Sequence, residues 1–585
     1  MGVKHFFIWY KNNFPDCIQV LNNNNKPYID NLCLDMNGIF HSAAQKIFRY
    51  GNYAQNKSLL RPRRHNKTTL KQRLKFFQEV CENVENLRKI INPKKRLILC
   101  VDGVAGCAKM AQQRQRRYKS NKDRNDDTSF NPIAITPGTQ LMDHLTKYID
   151  RYIKIMLTNS PEWKHLDVIF SNEKVEGEGE HKIINFIREN NNQYESYCIH
   201  GLDADLIMLS LGTNLENIHI LRENIYNDKE LYILNIGLFS ERLVEHMSWI
   251  EKDKDNNRRS VKKKTKMPAY RKKQAIDDFI FMCFLVGNDF LPTIPTLAIL
   301  EGSIDVMIDV YKTVGKKHGH LTRVKKSKDD VDMVFRCSAL SSFFTILSTY
   351  EKEMIESKYE KQESFYPDKI VDTHMKTIID SSTDKEIFSL DWENYTYDYY
   401  ISKFGDEDDL DITINNVCNE YLKGMQWVIT YYKRGIPDWE WYYPYFYGPF
   451  LEDLARNTKV YNSYQFSSFI TTPLSMHEQL LSVIPKGCKY LLPSQLQPIL
   501  THSELLEYYP DTFEIDYSGK RAEWEGIVIL PMMNINKLRK IYREIIEDND
   551  KRSMNTLLYR YNDDFTRQYR SFYGNYTSNV QLIKL

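Results

Sequence analysis

The sequence lacks several features that would assign a protein to a class at once. Its longest apolar run, residues 279–286, is far too short to cross a membrane, so we expect no membrane-spanning segment. The ten cysteines form no CxxC pair and no Cys/His cluster with zinc spacing, which argues against a zinc site or a disulfide scaffold. Residues 1–6 show no signal-peptide pattern. We therefore expect an intracellular, reduced protein of the cytoplasm that does not contact membranes.

A strong excess of one charge is also missing. The net charge is +3 over 585 residues, so no global basic field indicates nucleic acid. Hydrophobic residues at 42% and charged residues at 27% are typical of a globular protein with two or more cores. Within the basic segment 253–273, the run from Lys262 to Lys266 is most often a solvated loop. Less often, such a run contacts the RNA backbone or serves as a nuclear address.

Four short apolar segments alternate with helical ones: residues 31–34, 96–101, 167–170 and 197–200. This alternation predicts an α/β fold with a mainly parallel sheet flanked by helices. Ligands bind such sheets at the carboxyl ends of the strands. Three of the four segments lead into aspartates, namely Asp35, Asp102, and Asp203 with Asp205. A single strand-end aspartate is usually a turn former, but several on one edge predict a site.

The third strand leads into residues 175–182, where Glu176, Glu178 and Glu180 alternate with two glycines before an apolar helix. Glycine lets the backbone turn sharply, so the carboxylates can converge. The helix dipole would favour an acidic start and explain one glutamate. Three crowded carboxylates favour a cation between them, and oxygen ligands suit Mg²⁺ or Mn²⁺. Taken alone, the run fits both interpretations equally. A later helix, residues 275–286, is followed by Asp289, a further candidate carboxylate.

A basic segment begins just after the Asp102 strand end, at the same edge of the sheet. Lys109, Gln113, Arg116 and Arg117 lie at i, i+4, i+7 and i+8 and so share one helical face. An isolated run of this kind is usually a solvated surface. Beside a carboxylate cluster, the same face is what a phosphate-handling enzyme needs.

The sequence as a whole predicts a division of the chain into three parts. Residues 1–315 hold the carboxylates, residues 316–411 are mainly helical and polar, and residues 412–585 form a second region. This second region is expected to be mostly helical, and it is dense in tyrosine and tryptophan between residues 421 and 447.

These stretches together resemble the Xrn family of 5′→3′ exoribonucleases. The matching segments are residues 34–38, 101–105, 109–117, 177–182, 201–209 and 286–292, and the likeness continues to residue 531. The resemblance implies a PIN-like nuclease core, with the second region supporting the active site. It also implies processive hydrolysis of 5′-monophosphorylated single-stranded RNA to mononucleotides in RNA decay, by a compact member without the C-terminal extension of larger relatives.

The resemblance also implies a role for each candidate residue. The catalytic carboxylates, holding two Mg²⁺ ions or Mn²⁺, correspond to Asp35, Asp102, Glu178, Glu180, Asp203, Asp205 and Asp289. The pocket for the 5′-phosphate corresponds to Lys109, Gln113, Arg116 and Arg117. The pair that stacks on the terminal base corresponds to His41 and Trp524. Without the resemblance, His41 would be a helix-surface histidine and Trp524 a core anchor.

Two departures and two alternatives accompany this assignment. Glu176 replaces a proline usual in the family, and residues 2–7 lack the proline usual near the start of the chain. A structure-specific 5′ nuclease acting on DNA would share the carboxylates, but it would carry a glycine-rich helix-hairpin-helix where Phe290 follows Asp289. A catalytically inactive RNA-binding relative would show gaps among the carboxylates, and all seven are present. The residues alone do not show whether the substrate is RNA or DNA, and they do not identify a protein partner.

Overall fold

The structure is a computed structural model. It describes Val3, Phe466 and residues 5–22, 25–51, 69–122, 130–190, 192–224, 227–250, 270–326, 331–361, 364–380, 385–405, 409–464, 471–548, 568–573 and 576–581. The predicted basic run from Lys262 to Lys266 lies outside these residues. Within the described ranges, no helix is both long and apolar enough to cross a membrane.

Fifteen strands and eighteen α-helices are present in the described part of the chain. The strands are β1 (Ile18–Val20), β2 (Asn31–Asp35), β3 (Arg96–Cys100), β4 (Asp167–Ser171), β5 (Tyr197–His200), β6 (Ile218–Asn224), β7 (Asn227–Asn235), β8 (Thr322–Lys326), β9 (Val331–Phe335), β10 (Met375–Asp380), β11 (Lys385–Leu390), β12 (Glu514–Asp516), β13 (Ile527–Ile529), β14 (Gln568–Tyr573) and β15 (Tyr576–Gln581). The helices are α1 (Phe6–Asn13), α2 (Met36–Phe48), α3 (Leu70–Ile91), α4 (Cys107–Lys122), α5 (Gln140–Asn159), α6 (Gly179–Asn190), α7 (Asp205–Thr213), α8 (Ile236–His246), α9 (Lys272–Cys283), α10 (Ser303–His318), α11 (Cys337–Ser348), α12 (Glu351–Glu360), α13 (Lys369–His374), α14 (Trp392–Phe404), α15 (Leu410–Arg434), α16 (Leu451–Thr458), α17 (Met476–Val483) and α18 (Ile535–Asp548).

Residue contacts divide the chain into two compact units, each built from separate stretches of sequence. One, the helical unit, comprises Met1–Pro15, Leu238–Ile470 and Phe513–Ile529. The other, the sheet unit, comprises Asp16–Gly237, Thr471–Thr512 and Leu530–Leu585. These boundaries differ from the predicted parts 1–315, 316–411 and 412–585, because a prediction from composition can only cut the chain into contiguous pieces.

The sheet unit contains a seven-stranded sheet in the order β1-β7-β6-β5-β2-β3-β4. The five strands from β6 to β4 run parallel, while β7 and β1 add an antiparallel edge. This confirms the predicted α/β fold and the four predicted strands β2 to β5; β1, β6 and β7 were not predicted. Because β2 lies between β5 and β3, the strand ends bearing the aspartates are neighbours.

The core of the sheet explains why these short strands form. Leu32, Cys33 and Leu34 of β2 are completely buried. Strands buried on both faces are typical of parallel sheets covered by helices. One face packs against apolar side chains of α2, α3 and α5 in a single cluster. Each fully buried aliphatic side chain contributes about 1.5–3 kcal/mol, so this packing dominates the stability of the sheet.

A second core in the sheet unit fixes helix α4. Val104 lies in the loop before α4, and Met110 lies in its first turn. Both pack with α17, α18 and the turns between residues 484 and 509. Gln479 on α17 accepts a hydrogen bond from the backbone N–H of Ala105 at 2.7 Å. The buried Arg114 donates to the carbonyls of Ser482 and Tyr508. The later sequence segment therefore orients the helix that carries the predicted phosphate pocket.

The helical unit confirms the helical, aromatic-rich part of the prediction. Trp427 on α15 packs against Phe290 and Trp441 at ring distances of 5.3 and 5.2 Å. Two hairpins, β8–β9 and β10–β11, lie in the segment predicted to be mainly helical. In the second hairpin, the paired Met375 and Leu390 pack in a hydrophobic cluster, whereas Ile378 and Ile387 face each other yet remain exposed. Exposed and buried apolar residues therefore do not alternate in the way that would have predicted these strands.

A buried carboxylate also organises the helical unit. Asp278 on α9 is fully buried and accepts hydrogen bonds from His320, Tyr311 and Thr322 at 2.7–2.9 Å. The backbone N–H of Leu321 adds a further bond at 3.2 Å. Because every bond satisfies a buried charge, this network fixes the entry to β8 against α9.

Candidate active site

Two aspartates meet at the carboxyl edge of the sheet. Asp35 ends β2 and caps α2, accepting from the N–H of Asn37 at 3.3 Å. Asp102 follows β3 and accepts from the Asn37 side-chain amide at 2.6 Å and from the N–H of Gly179 at 2.7 Å. Asn37 thus orients both carboxylates. Its type and position in the sequence gave no indication of this role.

The glutamate run packs directly against these aspartates because of its glycines. Gly177 has φ +100°, a conformation that other residues rarely adopt. A Cβ on Gly179 would lie only 2.8 Å from Asp35 Oδ1 and 3.4 Å from Asp102 Oδ1. The run is also bonded to the Asp102 loop through Gly103 N–H to the Gly177 carbonyl, at 2.9 Å. The turn inferred from the sequence is therefore present, and it brings Glu178 and Glu180 to the aspartates.

Electrostatic interactions connect the carboxylates of the sheet unit. Burial, and then repulsion by Asp102 and Asp203, raises the pKa of Asp35 well above its usual range. Burial also raises the pKa of Glu180 well above its usual range, with repulsion from Asp205, Glu178 and Asp203 adding to it. The structure therefore brings six of the seven predicted carboxylates together: Asp35, Asp102, Glu178, Glu180, Asp203 and Asp205.

A positive charge from helix α4 lies among these acids. Lys109 on α4 forms an ion pair with Glu178, and both side chains are largely buried. The Lys109 charge also opposes the rise in the pKa values of Asp35 and Glu180. Lys109 therefore joins the basic helix to the carboxylate edge.

At this edge of the sheet, one feature favours a bound metal ion and two do not. Glu180 Oε2 is buried and has no hydrogen-bond partner among the described residues. As the side chains stand in the described ranges, no three His, Cys, Asp or Glu residues form a group arranged to hold a metal ion. Glu178 is occupied by Lys109, and Asp102 by Asn37 and Gly179.

Helix α4 presents part of its predicted basic face inward. Gln113 and Arg117 are buried, whereas Arg116 is exposed. Gln113 Oε1 and Arg117 Nη1 have no hydrogen-bond partner within the part of the chain that the structure describes. Burial and the neighbouring Arg116 charge lower the pKa of Arg117 to about 9. Buried polar groups are costly when unpaired, so these atoms indicate a place for a polar ligand.

His41 lies on α2, near the charges of α4. Burial, and then the positive charges of Arg116 and Arg117, lowers the pKa of His41 to about 4. The imidazole is therefore neutral at physiological pH. A neutral, flat ring beside the basic helix suits contact with a base better than contact with a phosphate.

The two remaining predicted residues belong to the helical unit. Asp289 is buried in a turn where Asn288 Oδ1 accepts from the N–H groups of Phe290 and Leu291, both at 2.8 Å. Trp524 is 56% exposed, so it is not the core anchor that its sequence context suggested. Asp289 as a seventh metal ligand and Trp524 as the stacking partner of His41 stay predictions of the sequence.

Lys182, at the end of the glutamate run, was not singled out from the sequence. It is 1% exposed and donates to the carbonyls of Val101 at 2.7 Å and Asn172 at 3.0 Å. Burial lowers its pKa to about 8. Lys182 thus ties the ends of β3 and β4 together. Glu176, at the family proline position, is partly exposed and is one of the negative charges acting on Lys182.

Glu173, between β4 and the glutamate run, was also missed. Its side chain is 1% exposed, and neither carboxyl oxygen has a hydrogen-bond partner among the described residues. The nearby Thr146 hydroxyl donates to the Met142 carbonyl at 2.9 Å instead. Burial raises the pKa of Glu173 to about 7.

A carboxylate-rich sheet edge joined to a basic helix is typical of α/β proteins that act on phosphodiesters. The family described as the XRN 5′-3′ exonuclease N-terminus matches residues 1–224. The Xrn1 helical domain matches residues 269–391 and 380–560. The chain belongs to the XRN family.

Curated relatives agree with this assignment. The protein named 5′-3′ exoribonuclease 1 of Homo sapiens is 29% identical over 92% of this chain and 34% of its own length. The protein of the same name from Saccharomyces cerevisiae is 26% identical, over 99% of this chain and 46% of its own. A 5′-3′ exoribonuclease 2 of Debaryomyces hansenii is 26% identical, over 100% and 74%. The chain thus spans less than half of the first two relatives.

The chain also has a distant likeness to a solved structure. The catalytic core of Rad2 in complex with a DNA substrate aligns with a TM-score of 0.31 and 12% identity, covering 62% of this chain and 78% of that one.

Proposed function

We propose that this chain is a processive 5′→3′ exoribonuclease of cytoplasmic RNA decay that hydrolyses 5′-monophosphorylated single-stranded RNA to mononucleotides. The ion pair between Lys109 and Glu178 carries the proposal, because it sets a basic helix directly beside a carboxylate cluster. Hydrolysis of a phosphodiester and capture of a terminal phosphate need these two elements next to each other. The names of the curated relatives point to the same reaction.

The residues at the edge fit a divalent metal. Their donors are all oxygens, as Mg²⁺ and Mn²⁺ prefer, and Glu180 Oε2 is a buried acceptor lacking a hydrogen-bond partner in the described ranges. The residues that would hold two such ions are Asp35, Asp102, Glu178, Glu180, Asp203 and Asp205. Bound there, divalent metal would activate a water and stabilise the leaving oxygen of an in-line displacement. Release of Glu178 from Lys109 would free its carboxylate for this role.

Helix α4 would bind the 5′-terminal phosphate. Lys109, Gln113 and Arg117 present buried polar groups, and Arg116 adds an exposed charge at the rim. Hydrogen bonds to a charged group contribute about 1.5–3 kcal/mol each, so several of them make the phosphate a strong anchor. A buried pocket of this kind favours a single phosphate over a cap or triphosphate, and a 5′-hydroxyl loses the contacts.

His41 would contact the first base. Its neutral ring can stack on any base, worth about 1–3 kcal/mol, which requires no particular sequence. Anchoring of the phosphate and stacking of the base would hold the first phosphodiester at the carboxylate edge. After each cleavage, the next nucleotide would carry the new 5′-phosphate into the same pocket.

A degradation assay tests the proposal. One RNA sequence would be offered with a 5′-monophosphate, 5′-triphosphate or 5′-hydroxyl, beside a 5′-phosphorylated DNA strand of the same sequence. We expect rapid release of mononucleotides from the monophosphorylated RNA alone. Equal rates on monophosphate and triphosphate ends would reject the pocket, and faster cleavage of DNA would favour the DNA nuclease. Tight RNA binding without hydrolysis would indicate an inactive relative.

A further inference from the structure

The segment that carries Trp524 is firmly held within the helical unit, although the indole itself is exposed. Asp516 accepts hydrogen bonds from Lys403 at 2.5 Å and from the Tyr447 hydroxyl at 2.6 Å. The Lys520 carbonyl accepts two backbone N–H bonds at 3.0 Å, from residues 365 and 366. The backbone on the N-terminal side of Trp524 is therefore fixed, while more than half of its side chain meets solvent.

His5 is held in place by the helix that follows it in the chain. It precedes α1, whose Phe6 and Tyr10 are completely buried and whose Trp9 donates to Asp305 at 3.0 Å. His5 itself has φ +61°, a left-handed conformation that is uncommon for a residue other than glycine. Such a conformation persists only where the surroundings impose it, and it is often found at functional sites.

The two fixed elements bring two rings together. The His5 imidazole lies 6.5 Å from the Trp524 indole, centroid to centroid, with 61° between the ring planes. This edge-to-face arrangement is the favoured geometry of an aromatic pair. A tryptophan that stacks on a base through its exposed side binds more tightly if its indole is already fixed in one rotamer. An aromatic neighbour in edge-to-face contact restricts the indole in this way.

We propose that His5 is a positioning residue for Trp524, holding the indole ready to stack on a base of single-stranded RNA. The proposal rests on the function proposed above. It adds a residue to which neither the sequence motifs nor the comparisons assign a role. In the sequence, His5 lies within residues 2–7, where the chain lacks the proline usual in its family.

The test is a double-mutant cycle on RNA affinity, measured with EDTA present so that no hydrolysis contributes. The probe is a fluorescent 5′-phosphorylated single-stranded RNA followed by anisotropy. His5→Asn removes the ring but keeps a residue that tolerates the left-handed conformation. His5→Phe keeps an aromatic ring. Tyr194→Ala, which removes an aromatic that is 84% exposed elsewhere, serves as the matched control.

We expect Trp524→Ala to weaken binding about ten-fold, as loss of one base–aromatic stack does. His5→Asn should weaken it about three-fold in the wild-type background, and His5→Phe should restore most of the affinity. In the Trp524→Ala background, His5→Asn should have no further effect. The Tyr194→Ala control should bind as wild type.

The outcomes separate this inference from the function on which it rests. If Trp524→Ala binds RNA normally while it remains folded in a thermal melt, both the stacking role and the role of His5 are overturned. If Trp524→Ala weakens binding but His5→Asn has no effect, or has the same effect with and without Trp524, only the role of His5 is overturned.

Discussion

Glu173 adds a pH-dependent component to the stability of the sheet unit, and replacing it by glutamine should remove that component. Its pKa is about 7 in the folded chain, raised by burial from 4.5. The folded state therefore binds the proton more tightly than the unfolded state does. The contribution of Glu173 to stability is therefore most favourable below pH 4.5, becomes less favourable as the pH rises from 4.5 to 7, and is then constant.

The size of the effect follows from the shift. Each pKa unit corresponds to about 1.36 kcal/mol, so charged Glu173 costs about 3 kcal/mol above pH 7. Glu173→Gln resembles the protonated side chain in shape and carries no charge at any pH. The variant should match the wild type near pH 4.5 and be more stable by about 3 kcal/mol at pH 8, which raises the melting temperature by several degrees.

The assay is thermal unfolding of both proteins between pH 5 and pH 8, read as the difference in melting temperature at each pH. Glu189→Gln, at an exposed position on α6, is the matched control and should show no pH-dependent difference. A Glu173→Gln difference that stays constant over this range would refute the reasoning. So would a variant that is less stable than the wild type at pH 8, since that would mean the charged carboxylate has partners.

Three further predictions concern the site and the fold. Glu178→Gln should abolish hydrolysis in a nucleotide-release assay while RNA affinity in EDTA stays within a small factor; near-normal turnover would contradict the metal assignment. Arg117→Ala should reduce the preference for 5′-monophosphate over 5′-hydroxyl RNA at least ten-fold, from the loss of one charge-assisted bond, whereas Lys122→Ala at the exposed end of α4 should not. Asp278→Ala should destabilise the helical unit by roughly 3–5 kcal/mol in urea unfolding, because it leaves buried donors unpaired, and a loss under 1 kcal/mol would show that the network is not essential.

Local sequence patterns were enough to predict the parallel sheet and six carboxylates that lie close together at its edge. The apolar runs that became β2 to β5 are short strands buried over most of their length. Their short length and their alternation with helical segments made them recognisable in the sequence. The glycines around Glu178 predicted a sharp turn, which Gly177 provides through its positive φ. The spacing of Lys109, Gln113 and Arg117 predicted their common helical face. These features depend on neighbours a few residues away.

Long-range features could not be predicted in the same way. Arg114 lies on the same helix as Arg117, and only the fold shows that it bonds to the Ser482 and Tyr508 carbonyls. Lys182 resembles any charged residue on a helix until β3 and β4 bring two carbonyls to it. The discontinuous units arise because residues 471–512 return to the sheet unit. No composition window can detect a contact between segments hundreds of residues apart.

By itself, the sequence determined the class of fold and the family, and it supplied the candidate carboxylates and basic residues of the site, because these depend on residue type and short spacing. Tertiary structure alone decided which charges are buried and what each one faces. It made His41 neutral, left Trp524 exposed beside His5, and paired Lys109 with Glu178. Burial and pairing depend on distant parts of the chain, and they set the pKa values and the orientation of side chains on which the chemistry depends.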